Sequence, residues 1–181
     1  MLRNTGTTWG TGAKVLHWIV AALVLVQVAL GLCAVSWHLS PTKLDLYVWH
    51  KSVGITILAL MVVRIAWRMA NPTPALPAPL PQLERHAAHV SHALLYALLI
   101  GVPLSGWVIA SASNIPFRVF WLFPLPAIVA PDKAIEGVAS RAHLVLITLL
   151  GVLVVLHVGA ALRHHYVKRN GVLLGMLPRF R

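Results

Sequence analysis

The chain has 181 residues, 59% of them hydrophobic and only 10% charged, with a mean hydropathy of +0.80. A soluble domain carries roughly 25% charged residues, so this composition excludes a soluble protein and leaves no room for a separate soluble domain. The formal charge of +11 has no aromatic-rich basic groove beside it, which argues against nucleic acid as the partner.

The first apolar run, Trp18–Trp37, predicts a membrane helix over about 15–37. Leu30-Gly-Leu-Cys33 is a poor lipoprotein cleavage site because Leu32 is large, and no small-residue cleavage motif follows the run. The run is therefore read as a retained span. Cys33 is the chain's single cysteine, which excludes a disulfide framework and a cysteine metal site and leaves it a packing role. A loop over about His38–Trp49, broken at Ser40-Pro41, leads to a second run, Ser52–Met69, and a helix over 50–69. Asn71–Pro81 holds five prolines in eleven residues and is expected to run extended at the inner surface. The third run, His92–Ser111, predicts a helix over 86–111 with a kink at Pro103. The loop after it, 112–141, carries Phe117, Phe120, Trp121 and Phe123, expected to form an interfacial belt. Ala142–Leu162 predicts the last helix, 142–165, before a basic tail. These elements make one all-α domain, 1–181, an integral membrane four-helix bundle in a lipid bilayer.

Charge placement orients the bundle. With the N-terminus cytoplasmic, the inner segments hold Arg3, Lys14, Arg64, Arg68, Arg85, Arg163, Lys168, Arg169, Arg179 and Arg181. The outer segments hold Lys43, Lys51, Arg118, Lys133 and Arg141, together with the acids Asp45, Asp132 and Glu136, a net of +2. This bias obeys the positive-inside rule and puts both termini in the cytoplasm.

Histidines carry the functional signal. His143 and His157 lie fourteen residues apart on one run, so at about 100° per residue both leave the same helix face, roughly 21 Å apart along the axis. Ionisable side chains at such depth default to a functional role. The topology puts His50 and His143 at the outer level; His17, His157 and the trio His86, His89 and His92 lie at the inner level. Two stacked bis-histidine haem b groups suit this pattern, since two neutral imidazoles on one iron make a saturated centre for electron transfer. An outer haem requires His50–His143. For the inner one His17–His157 is chosen, because His17 begins its helix as His50 begins its own. The competing readings are interfacial histidines bonded to backbone or headgroups, and a zinc site, which would cluster its ligands and add cysteine or carboxylate. His89 and His92, one turn apart, are candidates with Arg64 or Arg68 for holding haem propionates or for a proton path. His164, beside His165 at the inner interface, is a candidate for a quinone carbonyl. His38 is read as loop.

Several segments together resemble the bacterial di-haem cytochrome b561 family. They are Lys14-Val-Leu-His17-Trp18, His50-Lys-Ser-Val-Gly54 leading into Leu60-Met-Val-Val-Arg64, and Asn71-Pro-Thr-Pro74. Ala88-His89-Val-Ser-His92 and His157 with His164-His165-Tyr166 and Leu177-Pro-Arg179 complete the set. The match runs nearly the whole chain in order, and within the family it is closest to the compact four-helix superoxide:ubiquinone type. The resemblance implies a multi-pass protein of the bacterial inner membrane with two haem b groups on His17, His50, His143 and His157. It also implies oxidation of superoxide to oxygen outside and reduction of ubiquinone inside, with His164 at the quinone end. One departure stands at Arg141-Ala142-His143, where the family's usual tryptophan before the ligand is missing.

Superoxide as donor would be steered by cations at the outer mouth, for which Lys51, Lys133 and Arg141 are candidates. The alternatives are a cytochrome b subunit serving a dehydrogenase or hydrogenase, which usually brings an extra helix or longer tails, and a non-redox haem-binding or transporter-like protein. A transporter is expected to show repeats and broken half-helices, and this chain shows neither.

Overall fold

In the computed structural model, residues 1–75 and 81–177 are described. Arg179 and Arg181 of the inner charge count, the Pro-Arg of the Leu177-Pro-Arg179 segment, and the middle of the expected extended Pro-rich run lie outside them. Among the described residues four helices are long and apolar enough to cross a membrane. They are α1 (Thr11–Ser36), α2 (Pro41–Met69), α3 (Gln82–Ala112) and α4 (Lys133–Tyr166). A hairpin of β1 (Arg118–Val119) and β2 (Phe123–Pro124) lies between α3 and α4, and a short α5 (Val172–Met176) follows α4.

The helices outrun the apolar runs that predicted them. α2 starts at Pro41 rather than 50 because Ser40 caps it, its side chain accepting from the Lys43 N–H, with proline at the first helical position. α4 starts at Lys133 rather than 142 because the Asp132 carboxylate accepts from the N–H groups of Ala134 and Ile135, at 2.7 and 3.0 Å. Hydropathy marks the stretch in hydrocarbon; the capped, polar first turns stand above it. His50 therefore does not begin its helix but lies nine residues into α2, and His143 lies ten residues into α4. α3 runs as one helix through Pro103.

Val20, Val53, Ile57, Met61 and Leu99 form the core, which joins α1, α2 and α3. α4 packs along α3, and among the described residues no comparable packing joins it to α1 or α2. Its most apolar stretch, which includes His157, has no buried residue. His143, Leu146, Leu150, Leu153, His157, Ala161 and His164, all partly covered, form one stripe of three- and four-residue steps along α4. Cys33, expected to pack, is exposed on α1.

The hairpin was not legible in the sequence. Its turn, Val119–Leu122, is closed by the Leu122 N–H donating to the Val119 carbonyl at 2.9 Å, with φ of +48° at Phe120 and +61° at Trp121. Two-residue turns of this shape normally take Asn-Gly, and each bulky residue there costs roughly 1–2 kcal/mol. Phe117 is buried rather than belted at the interface, whereas Trp121 and Phe123 are exposed as expected.

The Asp132 cap is testable. Asp132→Ala is expected to cost about 0.5–2 kcal/mol and to lower the thermal midpoint in detergent, with Asp132→Asn recovering most of the loss. Equal midpoints for all three proteins would contradict the cap.

Candidate functional site between the helix pairs

α1 and α2 form one wall of a cleft and α4 the other, with α3 bridging them. His17 and His50 lie on the first wall, His143 and His157 on the second. The inner pair, His17 and His157, has ring centres 6.4 Å apart. Imidazole nitrogens bond first-row metals at about 2.0–2.1 Å, which puts two rings on opposite sides of one metal roughly 6 Å apart, centre to centre. His92, from α3, is also within reach, its ring centre 5.4 Å from that of His157. At the outer level His50 stands on α2 and His143 on α4, backed by Gly31 of α1 and Gly106 of α3.

The surroundings of each ring fix what it can do. His143 Nδ1 donates to the Val102 carbonyl at 3.1 Å and lies 2.8 Å from Ser105 Oγ. This is the arrangement that orients a metal-ligating histidine and leaves Nε2 as its lone-pair nitrogen. Gln27 donates its amide N–H to the His50 carbonyl at 2.9 Å and to ring Nε2 at 3.2 Å. That leaves two buried atoms without partners on adjacent side chains, the donor His50 Nδ1 and the acceptor Gln27 Oε1. At the inner level Arg64 Nη2 donates to His17 Nδ1 at 3.0 Å.

A glycine backs each outer imidazole. A Cβ at Gly31 would lie 3.0 Å from His50 Cε1, closer than ordinary contact, whereas one at Gly106 would lie 3.5 Å from His143 Cε1. α1 and α3 thus come up against the rings because they lack side chains there.

Below the inner pair a cavity of about 390 Å³ is lined by Arg64, Arg68, Arg85, His89 and His92, with Trp9, Trp67 and Tyr96. The Arg64 and Arg68 guanidiniums sit 5.2 and 5.7 Å from the Tyr96 ring centre. Among the described residues no acid lines it, so the cavity suits a carboxylate or another anion. The N-terminal segment closes it: buried Asn4 donates to the Pro72 carbonyl at 3.1 Å and accepts from the Gly10 N–H at 2.9 Å. From the other side Trp18 Nε1 and Lys14 Nζ donate to the carbonyls of Met176 and Leu177.

The remaining expected residues are distributed as follows. His164 Nδ1 accepts from Asn170 at 2.8 Å, and its Nε2 lies 3.9 Å from Glu84, which also binds Lys168 and Arg163. It sits outside the residues lining the cationic cavity. His86 is exposed and bonds the Gln82 carbonyl. Lys133 is tied to Glu136 at 2.8 Å, Arg141 is exposed, and Lys51 sits 5.5 Å from the Phe117 ring centre. His38 stacks on Trp37 just past α1. Sequence reasoning missed Gln27, Ser105, Asn4 and Tyr96. Gln27 left one usable signal, a lone amide in an otherwise apolar run.

The model of the prokaryotic cytochrome b561 family matches residues 8–179. The chain belongs to that family. It is 34% identical over 185 positions to "Cytochrome b561 homolog 2" of Escherichia coli (strain K12), which spans 97% of this chain and 94% of that protein. It is 32% identical over 170 positions to "Probable superoxide oxidase CybB" of Yersinia pestis, with 92% and 93% covered. "Cytochrome b561 homolog 1" of Escherichia coli (strain K12) is 29% identical over 166 positions. This cytochrome b561 is thus a haem b-binding electron-transfer protein of the bacterial inner membrane, built as a helical bundle.

The two glycines give a paired prediction. Gly31→Ala is expected to displace His50 and lower the haem-to-protein ratio of the purified protein, while Gly106→Ala leaves it near wild type. Equal ratios in the two variants would show that the 3.0 Å approach is not a constraint.

Proposed function

We propose that this protein oxidises superoxide at the outer surface and reduces ubiquinone on the inner side, with two haem b groups in the cleft, one on His50 and His143 and one on His17 and His157. The cleft itself carries the reading: two imidazole pairs on opposite walls, at two depths, on helices that do not pack together there. The probable superoxide oxidase among the relatives supports the choice of donor. When bound, haem b supplies a reversible one-electron couple at each depth.

The polypeptide's part is binding, orientation and charge. Val102 and Ser105 hold His143 with its ligating nitrogen free. Gln27 now donates to His50 Nε2, so ligation by that nitrogen requires the amide to turn away, while His50 Nδ1 and Gln27 Oε1 have no partner. Arg64 now donates to His17 Nδ1, which leaves the ring proton on Nε2. Ligation by His17 Nε2 requires Arg64 to turn to another acceptor, and a haem propionate in the cationic cavity would serve. Arg68, His89 and His92 line the same cavity and would share that carboxylate or carry protons inward. His164 remains the candidate for the quinone carbonyl, its Nε2 side turned toward Glu84.

The overall balance is simple. Two superoxide anions each lose one electron and leave as oxygen; the two electrons and two inner-side protons turn one quinone into quinol. Lys51 and Arg141 are the cations nearest in sequence to the outer imidazoles, one and two residues from His50 and His143, while Lys133 is offset by Glu136.

Stopped-flow reduction of the holoprotein by superoxide, with ubiquinol followed in the same sample, tests this function. Replacing Lys51 and Arg141 together with Gln should lower the second-order rate at unchanged haem content and flatten its salt dependence. Steering fades as the Debye length falls from about 30 Å at 0.01 M to about 10 Å at 0.1 M. An unchanged, salt-insensitive rate would reject steering, and no reduction by superoxide would reject the donor.

A further inference from the structure

The residues flanking His50 meet the hairpin and the residue that leads into it. Trp49 meets the Phe120 and Trp121 rings edge-on, both at 5.5 Å between centres. Lys51 sits over the buried Phe117 ring. Ser52, with no exposed surface, accepts from the Phe120 N–H at 2.8 Å. The Phe120 ring packs against the core cluster that contains Val53. The tip is therefore wedged onto the turn of α2 that carries the outer imidazole.

The turn is built from residues ill-suited to its shape. Phe120 and Trp121 both hold positive φ, where Asn-Gly is the usual solution. Backbone strain of this kind persists only where the surroundings over-determine it, and it gathers at functional positions. What the strained turn secures is the aromatic rings, since a simpler sequence would reverse the chain equally well. The loop is also a poor landing face for a polar partner. Between Ser113 and Pro131 its single charged residue is Arg118, and that guanidinium is bonded to the Leu122 carbonyl at 2.8 Å. Trp121, Leu122 and Phe123 are exposed apolar residues suited to the membrane interface.

We propose that the Phe120-Trp121 turn is a plug over the outer site that admits small diffusible reductants and excludes macromolecular ones. The inference rests on the reading that electrons enter at the His50–His143 level. Phe120 is then a specificity residue, which keeps large redox partners from the imidazoles while Lys51 and Arg141 stay available to a small anion.

The test separates size from chemistry by using reduced methyl viologen, free or bonded directly to dextran, on the holoprotein. Wild type should be reduced at least about tenfold more slowly by the dextran-bound dye, and the Phe120→Asn, Trp121→Gly double variant should bring the two rates close together. Ser52→Ala, which removes only the latch, should move the ratio the same way by less, and it decides the matter if the double variant fails to load haem. Hydrogen exchange of the 49–54 backbone should rise in both variants, a readout independent of electron transfer. A dye ratio near one in wild type, or one unchanged in the variants, overturns the plug. Superoxide failing to reduce any of the proteins would overturn the donor reading instead, with the dye ratio still judging the plug.

Discussion

An imidazole inside a membrane needs a partner, and the architecture follows from how this chain supplies four of them. α4 carries His143 and His157 on one stripe with His164 yet buries nothing along its most apolar stretch, because among the described residues it packs chiefly on α3 and lies across a gap from α1 and α2. A bundle that closed this gap would bury unpaired ring nitrogens at a cost of several kcal/mol. The gap is consistent with a helix pairing arranged around something other than side chains. Glycine at 31 and 106 extends the same logic, since it lets the helix backbones rather than side chains back the outer rings.

Around the four rings the chain spends its few polar groups sparingly and locally. Ser105 and the Val102 carbonyl sit behind His143, Gln27 beside His50, and Arg64 beside His17. Each is a polar group placed deep in a span, and each touches a candidate ligand. The two orphaned atoms, His50 Nδ1 and Gln27 Oε1, mark the outer pair as incomplete in the bare polypeptide. The inner end is built differently. Its cations gather without an acid in one cavity, closed by segments folded back from both ends of the chain.

Much of this was legible from residues alone. The four spans and the two histidine levels follow from hydropathy and the fourteen-residue spacing, and the charge bias adds an orientation to test. Helix lengths did not, because hydropathy is blind to the polar capped turns before His50 and His143. The hairpin was invisible for a sharper reason: Phe-Trp at a tight turn carries none of the glycine or asparagine that signals one. Ser105 could not be foreseen as a partner of His143, since a serine in a span most often bonds its own helix, as this one also does at Val102. Gln27 could have been singled out on polarity alone.

Redox-titrated absorption spectroscopy of the purified protein tests the central claim most directly, provided it is run beside the His143→Ala and His157→Ala variants. Two b-type centres per chain with distinct potentials are expected, each variant losing a different one and keeping much of the other. A single centre in the wild type, or both centres intact in either variant, would contradict a cleft with two cofactor levels and make His92 the leading inner ligand.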